Sequence, residues 1–359
     1  MFPFSIFQNK QFLPMLGLDI SASSAKLVEL SMRNDGRLVL DRCAKVRLEN
    51  THSAEGLVDN FEQVVSDVRR LIKKSRTKTK NVVMALPPTS VITKVISLPK
   101  AKSEQAFEVQ VEQAATRFIP FPLDEVNLDY RVIGPSLANP QLLEVHLAAS
   151  RREKVQDVHD LAEAAGLNLV ILDVSSYASR AAMKRLVEEK YGPASAVLVA
   201  LVELGANSTS VRVMRNDEVL YDRDQPFGGE QLTHLIADHY HLTFDEAEAK
   251  KRSGELPPDY EAQVLAPYIE NLSVEINRAL QFFFANTAFR EIDALMLTGG
   301  SASLPGLQAS VEKITHCPCI LANPFEGMLM SESVRLRNLK LEAPAFLTAC
   351  GLALRRFSQ

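Results

Sequence analysis

Two short polar turns, each led by an acid, stand about half a chain apart. Leu18-Asp19-Ile20-Ser21-Ala22-Ser23-Ser24 can be laid over Val202-Glu203-Leu204-Gly205-Ala206-Asn207-Ser208, acid on acid and small residue on small residue. A tight turn of small residues between strands aims backbone N–H groups outward, and such a nest binds anions. Two nests facing each other would grip a polyphosphate from both sides, with the hydroxyls of Ser23, Ser24, Ser208 and Thr209 adding hydrogen bonds. The acids would repel that ligand unless a cation lay between them. Asp19 and Glu203 therefore imply magnesium, held largely through water because this ion dehydrates reluctantly. Lys26 reads two ways, as a charge reaching the terminal phosphates or as an exposed strand lysine. A third element, Leu297-Thr298-Gly299-Gly300-Ser301-Ala302-Ser303-Leu304-Pro305-Gly306, has a strand entering and a helix leaving, and its glycines permit close backbone approach to a ligand.

The elements around these turns repeat as well. MLGLDI and KLVELSM, the turn Arg33-Asn34-Asp35-Gly36 and RLVLDR read as a β-meander, and ASAVLVALVEL, VRVMR, the turn at Arg215-Asn216-Asp217 and VLYDR read as its second copy. Duplicated lobes facing each other are the expectation. From Gly56 to Ser75, Leu57, Phe61, Val64, Val65, Val68, Leu71 and Ile72 fall at helical spacing, so one face is buried. Lys73, Lys74, Arg76, Lys78 and Lys80 follow at its C-terminal end, where cations complement the helix dipole. No aromatic residues interleave them, which argues against a nucleic-acid surface.

After the strand NVVMAL, Pro87-Pro88 ends the first block and an insert begins. It holds a helix marked by Phe107, Val111, Ala114, Ala115 and Phe118 and stopped at Ile119-Pro120-Phe121-Pro122. Strands around VNLDYRV and LLEVHLAA come next, then a helix read as opening on a Ser150 to Glu153 capping box and closing at Gly166, and the buried strand LNLVILDV. Thr243 with Glu246 three residues on caps DEAEAKKRS, ahead of the long helix EAQVLAPYIENLSVEINRALQFFFAN, the strand IDALMLTGG and the helix LQASVEKIT. APAFLTACGLALRR is a last helix.

Composition bounds the rest. With 359 residues, 46% of them apolar, the chain can fill two cores. A formal charge of −4 gives no global field to attract nucleic acid. No apolar run is long enough to span a bilayer, and MFPFSIFQNKQFLP lacks the marks of a secretory signal, so a cytoplasmic protein is expected. The N-terminal aromatics Phe2, Phe4, Phe7 and Phe12, with Ile6, have only Lys10 beside them, which favours docking on the protein or disorder over a membrane contact. Cys317 and Cys319 form a C-x-C beside His316 with no identifiable fourth donor, so free thiols are expected over zinc, as for Cys43 and Cys350.

DISASSAK, VELGANSTS and TGGSASLPGL resemble the phosphate-1, phosphate-2 and adenosine motifs of the actin-like ATPases, close to the cell-division protein FtsA. IPFPLDEVNLDY, FGGEQLT, DEAEAKK, EINRALQFFF and APAFLTACGLALR resemble the PilM family of type IV pilus assembly proteins, in its order, over Leu16 to Arg355. The resemblance implies an α/β, ribonuclease H-like duplicated two-lobe fold binding ATP and magnesium. Its parts would be an extension (1–14), subdomain 1A (15–90 and 171–193, with the last helix, 343–357, packed on it), an insert called 1C (91–170), subdomain 2A (194–235 and 288–342) and subdomain 2B (236–287). By matching positions, Asp19, Ser21, Ser23, Ser24 and Lys26 would serve the first phosphate loop, and Glu203, Gly205, Asn207, Ser208 and Thr209 the second. Gly228, Gly229 and Glu230 would lie near phosphates and ribose, Glu246 and Lys250 near ribose and base, and Gly299, Gly300 and Ser301 under the adenosine.

The sequence departs from the actin-like pattern at Glu203, where aspartate is common, and at Ser21, where glycine is usual. The crossover DVSSYASRAA offers only Asp173 to position a water, so weak or absent ATPase activity is expected, with no catalytic residue assigned. The family resemblance further implies a scaffold in which the groove between the insert and the first lobe takes the cytoplasmic tail of the inner-membrane protein PilN. It also implies contacts with other pilus inner-membrane and motor proteins, peripheral membrane association through partners, and a route to self-association. A secretion-system homologue and an FtsA-like filament-forming ATPase are the alternatives.

Overall fold

The computed structural model describes residues 13–48, 60–136, 138–193, 195–216, 218–334, 339 and 341–357. The aromatic N-terminal extension, the first turn of the helix expected from Gly56 with its Leu57, and Asp217 lie outside the described residues.

The opening meander forms as its alternation dictates. Strands β1 (Leu16–Ile20), β2 (Ser24–Met32) and β3 (Leu38–Arg47) pair antiparallel, with Gly36 at φ 82° in the connecting turn. Leu16, Leu18, Ala25 and Leu27 point to one face and are covered by Val64, Val65, Val68 and Leu71 of helix α1 (Phe61–Ser75). Val28, Leu30 and Leu40 point to the other face. Strands β4 (Asn81–Leu86) and β8 (Asn168–Val174) extend the sheet in parallel, and the short β14 (Leu329–Met330) adds to β3, a pairing that no residue pattern announces.

The second sheet repeats this plan. Strands β9 (Leu198–Leu204), β10 (Thr209–Arg215) and β11 (Glu218–Gln225) form a meander, and β12 (Ala294–Thr298) and β13 (Cys319–Leu321) continue it in parallel from β9. Its order β11-β10-β9-β12-β13 reproduces β3-β2-β1-β4-β8 of the first. The internal resemblance read from the sequence is therefore a duplication of topology.

Between β4 and β8 the insert builds a three-stranded antiparallel sheet from β5 (Ile92–Pro99), β6 (Val126–Pro135) and β7 (Leu142–Arg151), with β7 in the middle. Helix α2 (Glu104–Ala115) buries Phe107, Val111 and Ala115 against Ile96, Val145, Leu147 and Ala149. Helix α3 (Arg152–Ala164) follows, and here the expected capping box is corrected. Ser150 still belongs to β7 and its hydroxyl donates to the Ser90 carbonyl at 2.8 Å, so the strand runs into the helix with Arg151 at the boundary and no side-chain cap. Helix α4 (Ser175–Tyr191) carries Tyr177, whose hydroxyl lies 2.8 Å from His146 Nε2 and ties the insert to the first lobe.

Helices α5 (Gly229–Tyr240), α6 (Phe244–Ser253), α7 (Ala266–Asn286) and α8 (Leu307–Thr315) cover the outer side of the second sheet. The last helix, α9 (Leu347–Leu354), lies against β1 and α4, closely enough that a methyl group added at Gly351 would collide with the Ala178 backbone oxygen. Arg185 of α4 reaches the second lobe's loop and donates to the carbonyls of Pro324 and Glu326, each at 2.7 Å.

Candidate nucleotide cleft

One cleft of about 1470 Å³ opens between the lobes. Both acidic hairpins reach it, and they are built alike. The Ser21 N–H donates to the Ser24 carbonyl at 3.0 Å, and the Gly205 N–H donates to the Ser208 carbonyl at 2.9 Å, closing equivalent turns. Ser21 takes glycine's usual place without strain, because its φ is not positive. Its hydroxyl donates to the Ser24 carbonyl at 3.0 Å, locking the turn a second time.

The two acids differ in their partners. Asp19 lies opposite Lys26 in the β1–β2 register, and Lys26 Nζ stands 2.9 Å from Asp19 Oδ2 and 2.9 Å from Ser21 Oγ. Lys26 is buried at 5% exposure, so it is not a surface strand lysine. In the second hairpin Ser210 occupies the register position opposite Glu203, and no lysine is available there. Arg212, two residues on and also buried, supplies the charge instead, with Nη1 3.5 Å from Glu203 Oε2 and Nε 2.9 Å from Asp222 Oδ2. Glu203 is walled by protein yet open towards the cleft. Burial pushes its carboxyl above the ordinary value, Arg212 opposes this, and the nearby Asp19 charge adds to the rise. The magnesium expected between Asp19 and Glu203 was inferred from uncompensated charge, and each carboxylate here already faces a protein cation. The donor set does not fit that inference.

Glycines bring the remaining loops together. The Gly229 and Glu230 N–H groups donate to the carbonyls of Gly205 at 3.0 Å and Ala206 at 2.8 Å. A Cβ at Gly228 would strike the Ala206 carbonyl, and one at Gly299, which sits at φ 93°, would strike the Leu204 backbone. This loop is fixed from below: the buried Tyr268 donates to the Gly228 carbonyl at 3.0 Å, and its ring stacks on Phe227 at 5.5 Å between centroids. Thr209 is buried and donates to the Phe227 carbonyl at 2.5 Å, so its hydroxyl supports the loop and faces away from the cleft. The Asn207 amide, oriented to donate, lies 2.6 and 2.9 Å from the two Glu230 oxygens.

Of the expected residues, Asp19, Ser21, Ser23, Ser24 and Lys26 line the cleft, as do Glu203, Gly205, Gly229, Glu230 and Gly299 to Ser301. Asn207, Ser208, Thr209 and Gly228 are not among the lining residues, and Ser208 is exposed. Glu246 and Lys250 do not line it either. The Glu246 carboxylate accepts the Thr243 N–H at 2.9 Å in the capping box of α6, which holds it below the usual carboxylate range. The face of α6 towards the cleft carries Glu248, Lys251 and Arg252, residues that sequence reasoning missed. Lys251 Nζ is 2.6 Å from Glu248 Oε2 and donates to Thr233 Oγ1 at 2.5 Å and to the Gly229 carbonyl at 3.1 Å. Burial would raise the Glu248 carboxyl, but Lys251, Thr233 and the facing Arg47 of the first lobe hold it below its ordinary value.

Asp173 has no access to the cleft. It accepts the Val174 N–H at 2.8 Å and is paired with Arg355 at 3.0 Å, which commits it to holding the C-terminal segment. Cys317 and Cys319 are both buried, and burial pushes the Cys319 thiol up to about 12.

The cleft continues beneath the insert as a groove. Ile92, Phe121, Val126 and Ala149 form its apolar side, and Val64 and Leu86 face them from the first lobe. Arg47, Arg70, Lys74, Arg151 and Lys154 border it, with Glu153 and Asp157 as the acids of that stretch.

Among the described residues no helix is long and apolar enough to cross a membrane. The structure is similar to that of a PilM–PilN type IV pilus biogenesis complex, with 30% identity, a TM-score of 0.76, and 96% of this chain and 99% of that chain covered. It also shares its fold with the ethanolamine utilization protein EutJ from Carboxydothermus hydrogenoformans, at 15% identity and TM-score 0.56 over 94% of this chain and 88% of that chain. In sequence it is 23% identical to the cell division protein FtsA of Bacillus subtilis over 303 residues, which are 77% of this chain and 61% of that protein. EutJ of Salmonella typhimurium is 27% identical over 111 residues, 30% of this chain and 36% of that protein. The chain thus spans about three fifths and one third of these two relatives. The fold is that of the actin-like ATPases, in the branch that includes FtsA. A family model described as type IV pilus assembly protein PilM matches residues 17–357, and the chain belongs to that family.

Proposed function

We propose that the chain is a nucleotide-loaded cytoplasmic scaffold of the type IV pilus machine, with ATP in the interlobe cleft and the N-terminal tail of an inner-membrane PilN in the groove beneath the insert. The observation that carries this reading is the continuity of the two spaces. One cleft runs from the paired acidic hairpins to the apolar wall of Ile92, Phe121, Val126 and Ala149. A ligand between the hairpins and a peptide under the insert would share the β2–β3 wall, so one would sense the other. Extended tails bind such grooves through backbone pairing and a few apolar pockets, and β5, an edge strand of its sheet, offers unpaired backbone on its outer side.

In this reading the scaffold meets the membrane through its partner and links it to other pilus inner-membrane and motor proteins. Turnover is slow or absent. The crossover carboxylate, Asp173, is engaged by Arg355, and from that crossover Ser175 is the residue lining the cleft. A synthetic PilN tail titrated calorimetrically tests the docking half. Ile92→Asp should abolish binding while leaving the fold intact by circular dichroism, and unchanged affinity would remove the groove as the site. Phosphate release at saturating ATP tests the rest, because many turnovers per minute would contradict a scaffold.

A further inference from the structure

Charge inside the cleft is distributed in a way the nucleotide reading does not by itself require. Five acids, Asp19, Glu203, Glu230, Asp245 and Glu248, line its nucleotide end. Asp19 is paired with Lys26, Glu203 faces Arg212 and Glu248 is paired with Lys251, while Glu230 accepts from the neutral Asn207 amide. Two further cations, Lys45 and Arg252, line the same end. In the β2–β3 register Lys26 lies directly opposite Lys45, so β1, β2 and β3 present Asp19, Lys26 and Lys45 in one row across the sheet. Like charges directly opposite destabilise a sheet. One carboxylate serves both lysines within that row, and Glu342 is the other acid within electrostatic reach of Lys45. Arg252 faces Lys45 from α6 across the cleft, and Lys74 approaches from α1 with its ammonium on the Lys45 carbonyl at 2.8 Å. Burial together with Lys26, Arg252 and Lys74 holds the Lys45 ammonium below its ordinary value.

We propose that Lys26, Lys45 and Arg252 form a cationic clamp on the nucleotide's polyphosphate, drawn from both lobes, that takes the place of a divalent cation. The inference rests on the nucleotide reading and adds the chemistry of recognition. A triphosphate entering between the hairpins meets the directly opposed Lys26 and Lys45 ammonium groups, which share one carboxylate in their row, and binding relieves their mutual repulsion. Glu203 already faces the Arg212 guanidinium at 3.5 Å, so the second lobe brings a cation of its own to the place where a metal would stand. A strand lysine and a helix arginine on opposite lobes also explain how the ligand would draw the lobes together.

The test is calorimetric titration of the full chain with ATP, once in excess magnesium and once in excess EDTA. The clamp predicts the same affinity in both. Lys45→Met and Arg252→Gln should each lose about tenfold in EDTA, equivalent to about 1.4 kcal/mol, with a shallower salt dependence than the parent chain. Arg252 is exposed near the end of α6, so its variant carries the test if Lys45→Met fails to fold. ATP that binds only with magnesium, or variants that bind like the parent, would overturn the clamp and leave the nucleotide reading standing. No binding in either buffer would remove both.

Discussion

Lys26 Nζ lies 2.9 Å from Asp19 Oδ2 across the first hairpin, with both side chains largely buried at 7% and 14% exposure. The hairpin thus carries its own counter-charge. Its counterpart in the second lobe is looser, since Glu203 meets Arg212 at 3.5 Å and remains open to the cleft. The duplicated turns are equal in backbone and unequal in electrostatics.

Removing the lysine should therefore cost more than removing an exposed one. Lys26→Met leaves Asp19 enclosed without its cation, and breaking such a pair destabilises by about 3 kcal/mol. Chemical denaturation measures this directly. The double variant Lys26→Met with Asp19→Asn should recover part of the loss, because no charge is then left unpaired.

Glu203 sets a dependence on pH. Its folded carboxyl is raised above the ordinary 4.5 by burial and by Asp19. The folded state then holds a proton that the unfolded chain has released, so stability falls as pH rises from the unfolded value through the folded one. Glu203→Gln should leave stability unchanged below the unfolded value and raise it at neutral pH. Melting curves of the two proteins across that range check the sign, and a variant less stable at neutral pH would show that the Arg212 pair outweighs burial.

Tyr268 holds the loop at the cleft by its bond to the Gly228 carbonyl and its stack on Phe227. Tyr268→Phe removes one buried hydrogen bond, about 1 kcal/mol of stability, and frees the Gly228-Gly229 loop. ATP affinity should fall severalfold while the melting temperature moves by a few degrees. Equal affinity would show that the Phe227 stack alone holds the loop.

Much of this was legible in the residues. The two meanders follow from alternation and turn chemistry, and laying Asp19 over Glu203 located the duplication because both turns close with the same backbone bond. The helix α6 was found but its working face was not. Glu246 and Glu248 are two positions apart, which on a helix places them on nearly opposite sides, and only packing decides which one meets the cleft. Thr209 was misjudged for a similar reason: a hydroxyl beside a turn can face the ligand or the loop behind it, and strand parity sent it inward. The Ser150 capping pattern failed because strand β7 runs one residue further and its register gives the hydroxyl to Ser90. Cross-strand partners such as Lys26 with Lys45 depend on register, which a bulge at Glu29/Leu30 shifts along this pair of strands.

The central claim is that both hairpins close on one ligand, and hydrogen exchange with and without ATP tests it most directly. The account predicts that amides of 19–26 and 203–210 gain protection together on adding ATP, with Gly229 and Ser301 following. Protection confined to one hairpin, or absent from both at saturating ATP, would contradict it.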